Sequence, residues 1–162
     1  MFAKILVAVD SSTISQRAFQ AAVTLSQLTT ARLLLVHVQS PIETAFPSQI
    51  FPYESPYPGV NTEAFGLQLE RWQAIAAQGQ QLLQSLMDTA TAAGVQAEMA
   101  QPLGNPGQTL CELGKTWGAN LIVVGRRGYT GLEEALAGSV SNYVVHHAHC
   151  PVLAIQDTPT PE

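Results

Sequence analysis

The sequence alternates short apolar runs of strand length with segments whose apolar residues recur at helical spacing. This alternation is the strongest constraint on what the chain can fold into. Residues 33–38 are almost continuously apolar, which is typical of a strand covered on both faces in a parallel sheet. The predicted strands are residues 5–9, 33–38, 95–100, 121–124 and 151–155. The first predicted helix follows the polar residues 10–13, and the other three span about 63–93, 106–117 and 139–147.

An order of alternating strands and helices predicts parallel strands joined by right-handed crossovers. We therefore expect an α/β fold: a five-stranded, parallel, doubly wound sheet of order 3-2-1-4-5 with helices on both faces. Asn105 and Pro106 predict the N-cap and first residue of the third helix. Gly94 predicts the end of the long second helix, whose helix propensity Gly66 and Gly79 lower.

The chain has 162 residues, which fits one domain. We place this domain at residues 1–157, followed by a short tail at 158–162. Residues 39–62 interleave prolines with aromatic residues. Because proline blocks both helix and central strand, this segment is predicted to be a long loop.

Charge and composition argue against several classes of partner. The chain has 7 basic and 12 acidic residues, a net charge of −5, and its basic residues are scattered. This pattern disfavours nucleic acid or an anionic membrane as the main partner. There is no run of eighteen apolar residues and no signal-peptide pattern, and Cys111 and Cys150 fit no zinc or redox motif. We expect a cytoplasmic protein.

The expected strand order also selects a site. In open α/β sheets, ligands bind at the carboxyl ends of the strands where the strand order reverses. That rule selects Asp10, after the first strand, and Gly125, after the fourth. Asp10 has two interpretations, a cap of the first helix or a ligand contact, and its place at the switch point favours the contact.

Residues 125–139 are rich in glycine and lead into the last helix. Glycines let the backbone approach a ligand closely, and Ser139 can cap a helix whose positive end attracts phosphate. The segment matches neither the P-loop nor the dinucleotide-binding fingerprint. The residues alone leave two interpretations open: a phosphate cradle, or a glycine-rich turn that only caps a helix.

The glycines follow the spacing G-x-x-G, nine residues, then G-[ST]: Gly125 and Gly128 precede residues 129–137, and Gly138-Ser139 follow. With this motif the sequence resembles the nucleotide-binding branch of the universal stress protein family. Residues 4–10, 36–38, 104–106 and 147–153 are similar to the family too, so the resemblance covers nearly the whole chain. Asn120 departs from the aspartate that many relatives have before the fourth strand.

The resemblance implies ATP binding in the crevice between the first and fourth strands. Mg²⁺ or Mn²⁺ accompanying the phosphates would be held by phosphate oxygens and water, because the motif loop lacks a carboxylate cage. The implied contacts are Ala8, Val9, Asp10 and Val38 for adenine and ribose, Gly125, Arg126, Arg127 and Gly128 for ribose and phosphates, and Gly138, Ser139, Val140 and Ser141 for the phosphate tail.

Other polar residues have structural interpretations. Three histidines and a cysteine at residues 146–150 suggest a metal site, but polar residues at a helix end also interact with its dipole, which we favour. Cys111 is interpreted as a small core residue. His37 is interpreted as a structural histidine whose hydrogen bonds are satisfied.

The resemblance thus implies an ATP-binding regulatory module. The alternatives are a slow ATPase and a dimeric stress protein that binds no nucleotide. An ATPase needs a base or a water-positioning residue, for which the motif loop offers only Glu133 and Glu134. Residues 151–155 predict a short apolar edge strand, through which we expect a homodimer, as in relatives of the family.

Overall fold

The computed structural model of the chain describes residues 1–40, 62–126 and 139–156. The predictions for residues 41–61, 127–138 and 157–162 lie outside the described residues. They include most of the proline-rich segment, the middle of the glycine motif and the tail.

The described strands form one parallel sheet in the order β3-β2-β1-β4-β5, which confirms the predicted fold class and strand order. In register, Val7 of the central strand pairs with Leu35 on one side and with Val123 on the other. All carboxyl ends therefore open at the same edge of the sheet. The strands are β1 (Lys4–Ala8), β2 (Arg32–Val36), β3 (Ala97–Ala100), β4 (Leu121–Arg126) and β5 (Val152–Gln156).

The first and third helices begin at side-chain caps, of which Asn105 is the predicted one. Ser12 caps the first helix, and Asn105, followed by Pro106, caps the third, its side chain accepting the N–H of Gln108. None of the described helices combines the length and apolar character needed to cross a bilayer. The helices are α1 (Thr13–Thr29), α2 (Thr62–Ala92), α3 (Pro106–Trp117) and α4 (Ser139–His147).

Helices cover both faces of the sheet because successive strand residues point to opposite sides. Ile5 belongs to a core formed with α1 and with Leu83 of α2. Leu6, the next residue, belongs to a second core with Leu110 of α3 and Val144 of α4. Each of these five side chains is at most 1% exposed, so the centre of the sheet is a buried middle layer.

The third strand begins at Ala97, two residues later than predicted. The N–H of Val95 donates to the carbonyl of Ala90 at 3.0 Å, and Val95 is only 6% exposed. Val95 therefore closes the end of α2 and fills the core instead of pairing in the sheet. The fourth strand continues to Arg126, past its predicted end.

Asn120 lies at the amino edge of the sheet, away from the crevice described below. Its Oδ1 accepts the N–H groups of Ala3 and Lys4 at 3.1 and 3.0 Å. The residue that departs from the family pattern thus ties the start of β1 to the start of β4.

Candidate functional site

A crevice opens at the carboxyl edge of the sheet, where β1 and β4 lie side by side. Its cavity measures about 300 Å³. This is the switch point at which doubly wound sheets bind their ligands. The described lining residues are Ala8, Val9, Asp10, Ser12, Ile14, Ser15, Val36, His37, Val38, Pro106, Leu110, Val124, Gly125, Val140 and Ser141.

The turn between β1 and α1 is fixed by short hydrogen bonds. The N–H of Ser12 donates to Asp10 Oδ1 at 2.7 Å, and the N–H of Asp10 donates to Ser15 Oγ, also at 2.7 Å. The N–H of Ser15 in turn donates to Ser12 Oγ at 3.3 Å. Asp10 is therefore a turn residue beside the true N-cap, Ser12, and its exposed carboxylate stands at the rim of the crevice.

Gly125 lets β4 lie close to the first turn of α1. A Cβ at this position would lie 3.2 Å from two side-chain carbons of Ile14 and 3.3 Å from its carbonyl carbon. The first glycine of the motif thus has a packing role in addition to lining the crevice.

The N-terminal turn of α4 forms the wall next to β4. Val140 and Ser141 line the crevice, and Ser141 is 5% exposed. A Cβ at Gly107 of α3 would lie 2.8 Å from Cδ1 of Tyr143, so the glycine allows α3 and α4 to pack closely. The positive end of the α4 dipole consequently lies at the crevice.

His37 follows β2 and corrects the interpretation of a satisfied structural histidine. Its backbone N–H donates to the carbonyl of Ala100 at 3.1 Å. The Nδ1 atom of the ring, however, is buried and has no hydrogen-bond partner in the part of the chain that the structure describes. His37 is half-buried and lines the crevice, so it belongs to the site as well as to the core.

The structure brings together predicted residues from four elements that are far apart in sequence. Arg126 ends β4 with an exposed side chain and is not among the lining residues, while Ser139 is the first residue of α4. Arg127, Gly128 and Gly138 lie outside the described residues. The predicted residues that line the crevice are Ala8, Val9, Asp10, Val38, Gly125, Val140 and Ser141.

Several lining residues were not predicted. Ser12 and Ser15 could have been found from the capping pattern that follows β1. Pro106 could have been found from its position at the start of the helix after β3. The available signal was topological: in a parallel sheet, every strand-to-helix turn lies at the carboxyl edge. Ile14, Val36, Leu110 and Val124 are core residues that extend to the crevice floor.

The histidines near the end of α4 bond to backbone carbonyls. His147 Nδ1–H donates to the carbonyl of Tyr143 at 2.8 Å, and His149 Nε2–H donates to that of Ala119 at 3.1 Å. Within the ranges that the structure describes, no three acidic, histidine or cysteine side chains converge on a metal-sized site.

The two cysteines are half-buried beside the core on the α3 and α4 side of the sheet. Burial raises the pKa of the Cys111 thiol, and the charge of Glu112 raises it further. Burial also raises the pKa of Cys150, with a smaller contribution from Cys111. Both thiols therefore favour the protonated, unreactive form.

Comparison with known proteins identifies relatives along the whole length. The sequence profile of the Universal stress protein family matches residues 1–156. Universal stress protein Sll1388 of Synechocystis is 32% identical over 155 residues, which cover 96% of this chain and 98% of that relative.

Solved structures agree in fold. Universal stress protein UspA of Lactobacillus plantarum superposes with a TM-score of 0.72 at 26% identity, covering 94% of this chain and 97% of that one. A universal stress protein family protein of Arabidopsis thaliana, solved with AMP bound, superposes with a TM-score of 0.64 at 26% identity, covering 99% and 96%.

Proposed function

The chain belongs to the universal stress protein family, and we propose that it is a regulatory module that binds ATP between the carboxyl ends of β1 and β4. The observation that carries this proposal is the crevice at the switch point of the sheet, from which the glycine motif begins at Gly125. AMP in the Arabidopsis relative supports an adenine nucleotide as the occupant.

The chemistry of the walls suits such a ligand. Val38 and Ala8 offer apolar surface to a base, and the exposed carboxylate of Asp10 is placed to accept hydrogen bonds from ribose hydroxyls. The N-terminal turn of α4, with Val140 and Ser141 at the crevice, favours a negatively charged group. We propose that the phosphates lie between this turn and the motif residues Arg127, Gly128 and Gly138, with Mg²⁺ or Mn²⁺ held by phosphate oxygens and water.

Binding is tested by calorimetric titration of the purified protein with ATP, ADP and AMP. Asp10→Ala should weaken ATP binding roughly 10- to 150-fold, because a hydrogen bond to a charged group contributes about 1.5–3 kcal/mol. Asp88→Ala is the matched control: it removes an exposed carboxylate of α2 that accepts only a local bond from Gln84 at 2.9 Å. The control should bind ATP as the unchanged protein does. Failure of the unchanged protein to bind any adenine nucleotide overturns the proposal.

Asp10→Asn separates the two roles of this residue. The amide oxygen of asparagine can still accept the N–H of Ser12, so the turn and the melting temperature should be retained. ATP affinity should nevertheless fall, because the charge is gone. Full affinity in this variant would mean that Asp10 serves only the turn.

A time course of phosphate release distinguishes the regulatory role from slow ATP hydrolysis. Among the described lining residues, Asp10 is the one carboxylate, and its Oδ1 is engaged by Ser12. We therefore propose that bound ATP stays unhydrolysed and that a partner protein in the cytoplasm recognises the ATP-bound protein. Release of phosphate over hours at a rate proportional to protein concentration would favour the ATPase instead.

We also propose that the protein is a homodimer joined through β5. This strand is at the edge of the described sheet and has no charged residue. An exposed edge of this kind readily pairs with a second copy of itself about a twofold axis.

A further inference from the structure

His37 stands between the crevice and α2. His37 is half-buried and lines the crevice, whereas its Nδ1 atom is buried against the helix and has no hydrogen-bond partner among the described residues. Within the described part of the chain, no hydrogen bond holds Nδ1 in place, and the position of the ring depends on the groups packed against it.

Gly79, a buried glycine in the interior of α2, is packed against the ring. A Cβ at Gly79 would lie 2.8 Å from His37 Nδ1 and 3.0 Å from its Cε1. Cβ atoms essentially never approach other heavy atoms closer than 3.0 Å, so a glycine is required here for the ring to keep its place. Glycine is also a poor residue for a helix interior, and close approach explains its presence.

Gln101 completes this contact. The residue before it, Ala100, pairs with Val36. Gln101 and His37 are therefore side by side just after the ends of β3 and β2. Gln101 Nε2 donates to the carbonyl of Ala76 at 3.1 Å, one turn before Gly79. A Cβ at Gly79 would also clash with this Nε2. The amide thus clamps β3 to α2 beside the imidazole ring.

We propose that His37 is a positioning residue that couples the nucleotide crevice to α2 through its contact with Gly79. A displacement of α2 moves the ring and so changes the crevice wall. Conversely, a ligand in the crevice that displaces the ring also shifts Gly79. Coupling of this kind is reciprocal: the free energy by which α2 alters nucleotide binding equals that by which the nucleotide alters α2. The proposal deepens the proposed function and rests on it, because it assumes that the crevice binds an adenine nucleotide.

The test adds a methyl group to α2 at the position that contacts the ring, outside the crevice itself. Gly79→Ala should raise the dissociation constant for ATP at least tenfold although residue 79 does not line the crevice. Gly66→Ala is the matched control, since a Cβ at Gly66 in the same helix meets no described residue within 4 Å. The control should keep the affinity of the unchanged protein. Equal affinity in all three proteins, or equal loss in both variants, overturns the coupling.

A rescue variant separates coupling from general damage to the fold. Adding Gln101→Ala to Gly79→Ala removes the amide beside the ring and gives the imidazole room to move without entering the crevice. ATP affinity should then return toward that of the unchanged protein, although the double variant loses the bond to Ala76 and should melt no higher than Gly79→Ala. If ATP affinity instead changes in parallel with the melting temperature across the variants, the contact between Gly79 and His37 has a purely structural role.

Hydrogen exchange tests the reverse direction without any substitution. ATP should slow amide exchange in α2 around Gly79 but not around Gly66. Unchanged exchange at Gly79 in a protein that binds ATP overturns the coupling alone. If the unchanged protein binds no adenine nucleotide, the proposed function fails and the coupling falls with it.

Discussion

Ala154 is the position at which the proposed β5 dimer is most directly tested. The N–H of Ile122 in β4 donates to the carbonyl of Pro151 at 3.0 Å. Because backbone groups alternate along a strand, those of residues 151, 153 and 155 face β4, and those of residues 152, 154 and 156 face outward from the sheet. Ala154 is exposed and lies in the middle of this outward set.

The expected effect of Ala154→Pro follows from this geometry. In an antiparallel pair centred on residue 154, the two copies exchange two hydrogen bonds at this position. Proline removes both N–H donors of the dimer and leaves the ladder between β4 and β5 intact. At about 0.5–1.5 kcal/mol for each bond, the dimer loses roughly 1–3 kcal/mol, which raises its dissociation constant about 5- to 150-fold.

Sedimentation velocity over a dilution series measures this constant. Ala154→Val is the control, because valine keeps the N–H and suits a strand, so its dimer should be as stable as that of the unchanged protein. Leu153 is unsuitable as a test position, since its side chain packs against the core and its backbone faces β4. Thermal melting at a concentration where all variants are monomeric should show similar stability.

Two results would refute the reasoning. A monomer at every concentration for the unchanged protein would remove the dimer altogether. A dimer that survives Ala154→Pro with its original dissociation constant would place the interface elsewhere on the molecule.

Two further predictions concern stability. Gly107→Ala should lower the free energy of unfolding in urea by about 1–3 kcal/mol, because the added Cβ would lie 2.8 Å from a ring carbon of Tyr143 and force α3 from α4; an unchanged urea midpoint would contradict this close packing. Since the pKa values of Cys111 and Cys150 are raised in the folded state, the contribution of these thiols to the unfolding free energy should be constant below the ordinary thiol value of 9.0 and fall as the pH rises above it. A variant with alanine at both cysteines should lose less stability over the same alkaline range, and identical slopes would contradict the shifts.

The topology could be predicted because the strong signals are local and agree with one another. The continuous apolar runs of β2 and β4 are possible only for strands covered on both faces, which leaves a parallel sheet with two helical layers. Caps such as Asn105 act within one turn of the helix, so their role is readable from adjacent residues. The start of β3 was missed because Val95 is as apolar as a strand residue but serves to close α2.

The candidate site was predicted where it depends on topology and not where it depends on distant packing. Asp10 and Gly125 follow from the switch-point rule, since strand order alone brings them to one edge. That Ser12 would cap α1 while Asp10 stabilises the turn requires the positions of three successive hydrogen bonds. Sequence patterns give the residue types for such a turn but leave open which residue has which role.

Gly66 and Gly79 show most clearly what the sequence could not distinguish. Both lie in α2, both lower its helix propensity, and from the sequence both are equally unfavourable. A Cβ at Gly66 would touch none of the described residues, so alanine there should stabilise the helix by about 0.5–1 kcal/mol. Gly79 lies against the imidazole ring of His37, which follows β2 more than forty residues earlier in the chain. The same residue type is therefore a replaceable weakness at one position and a requirement for the crevice wall at the other.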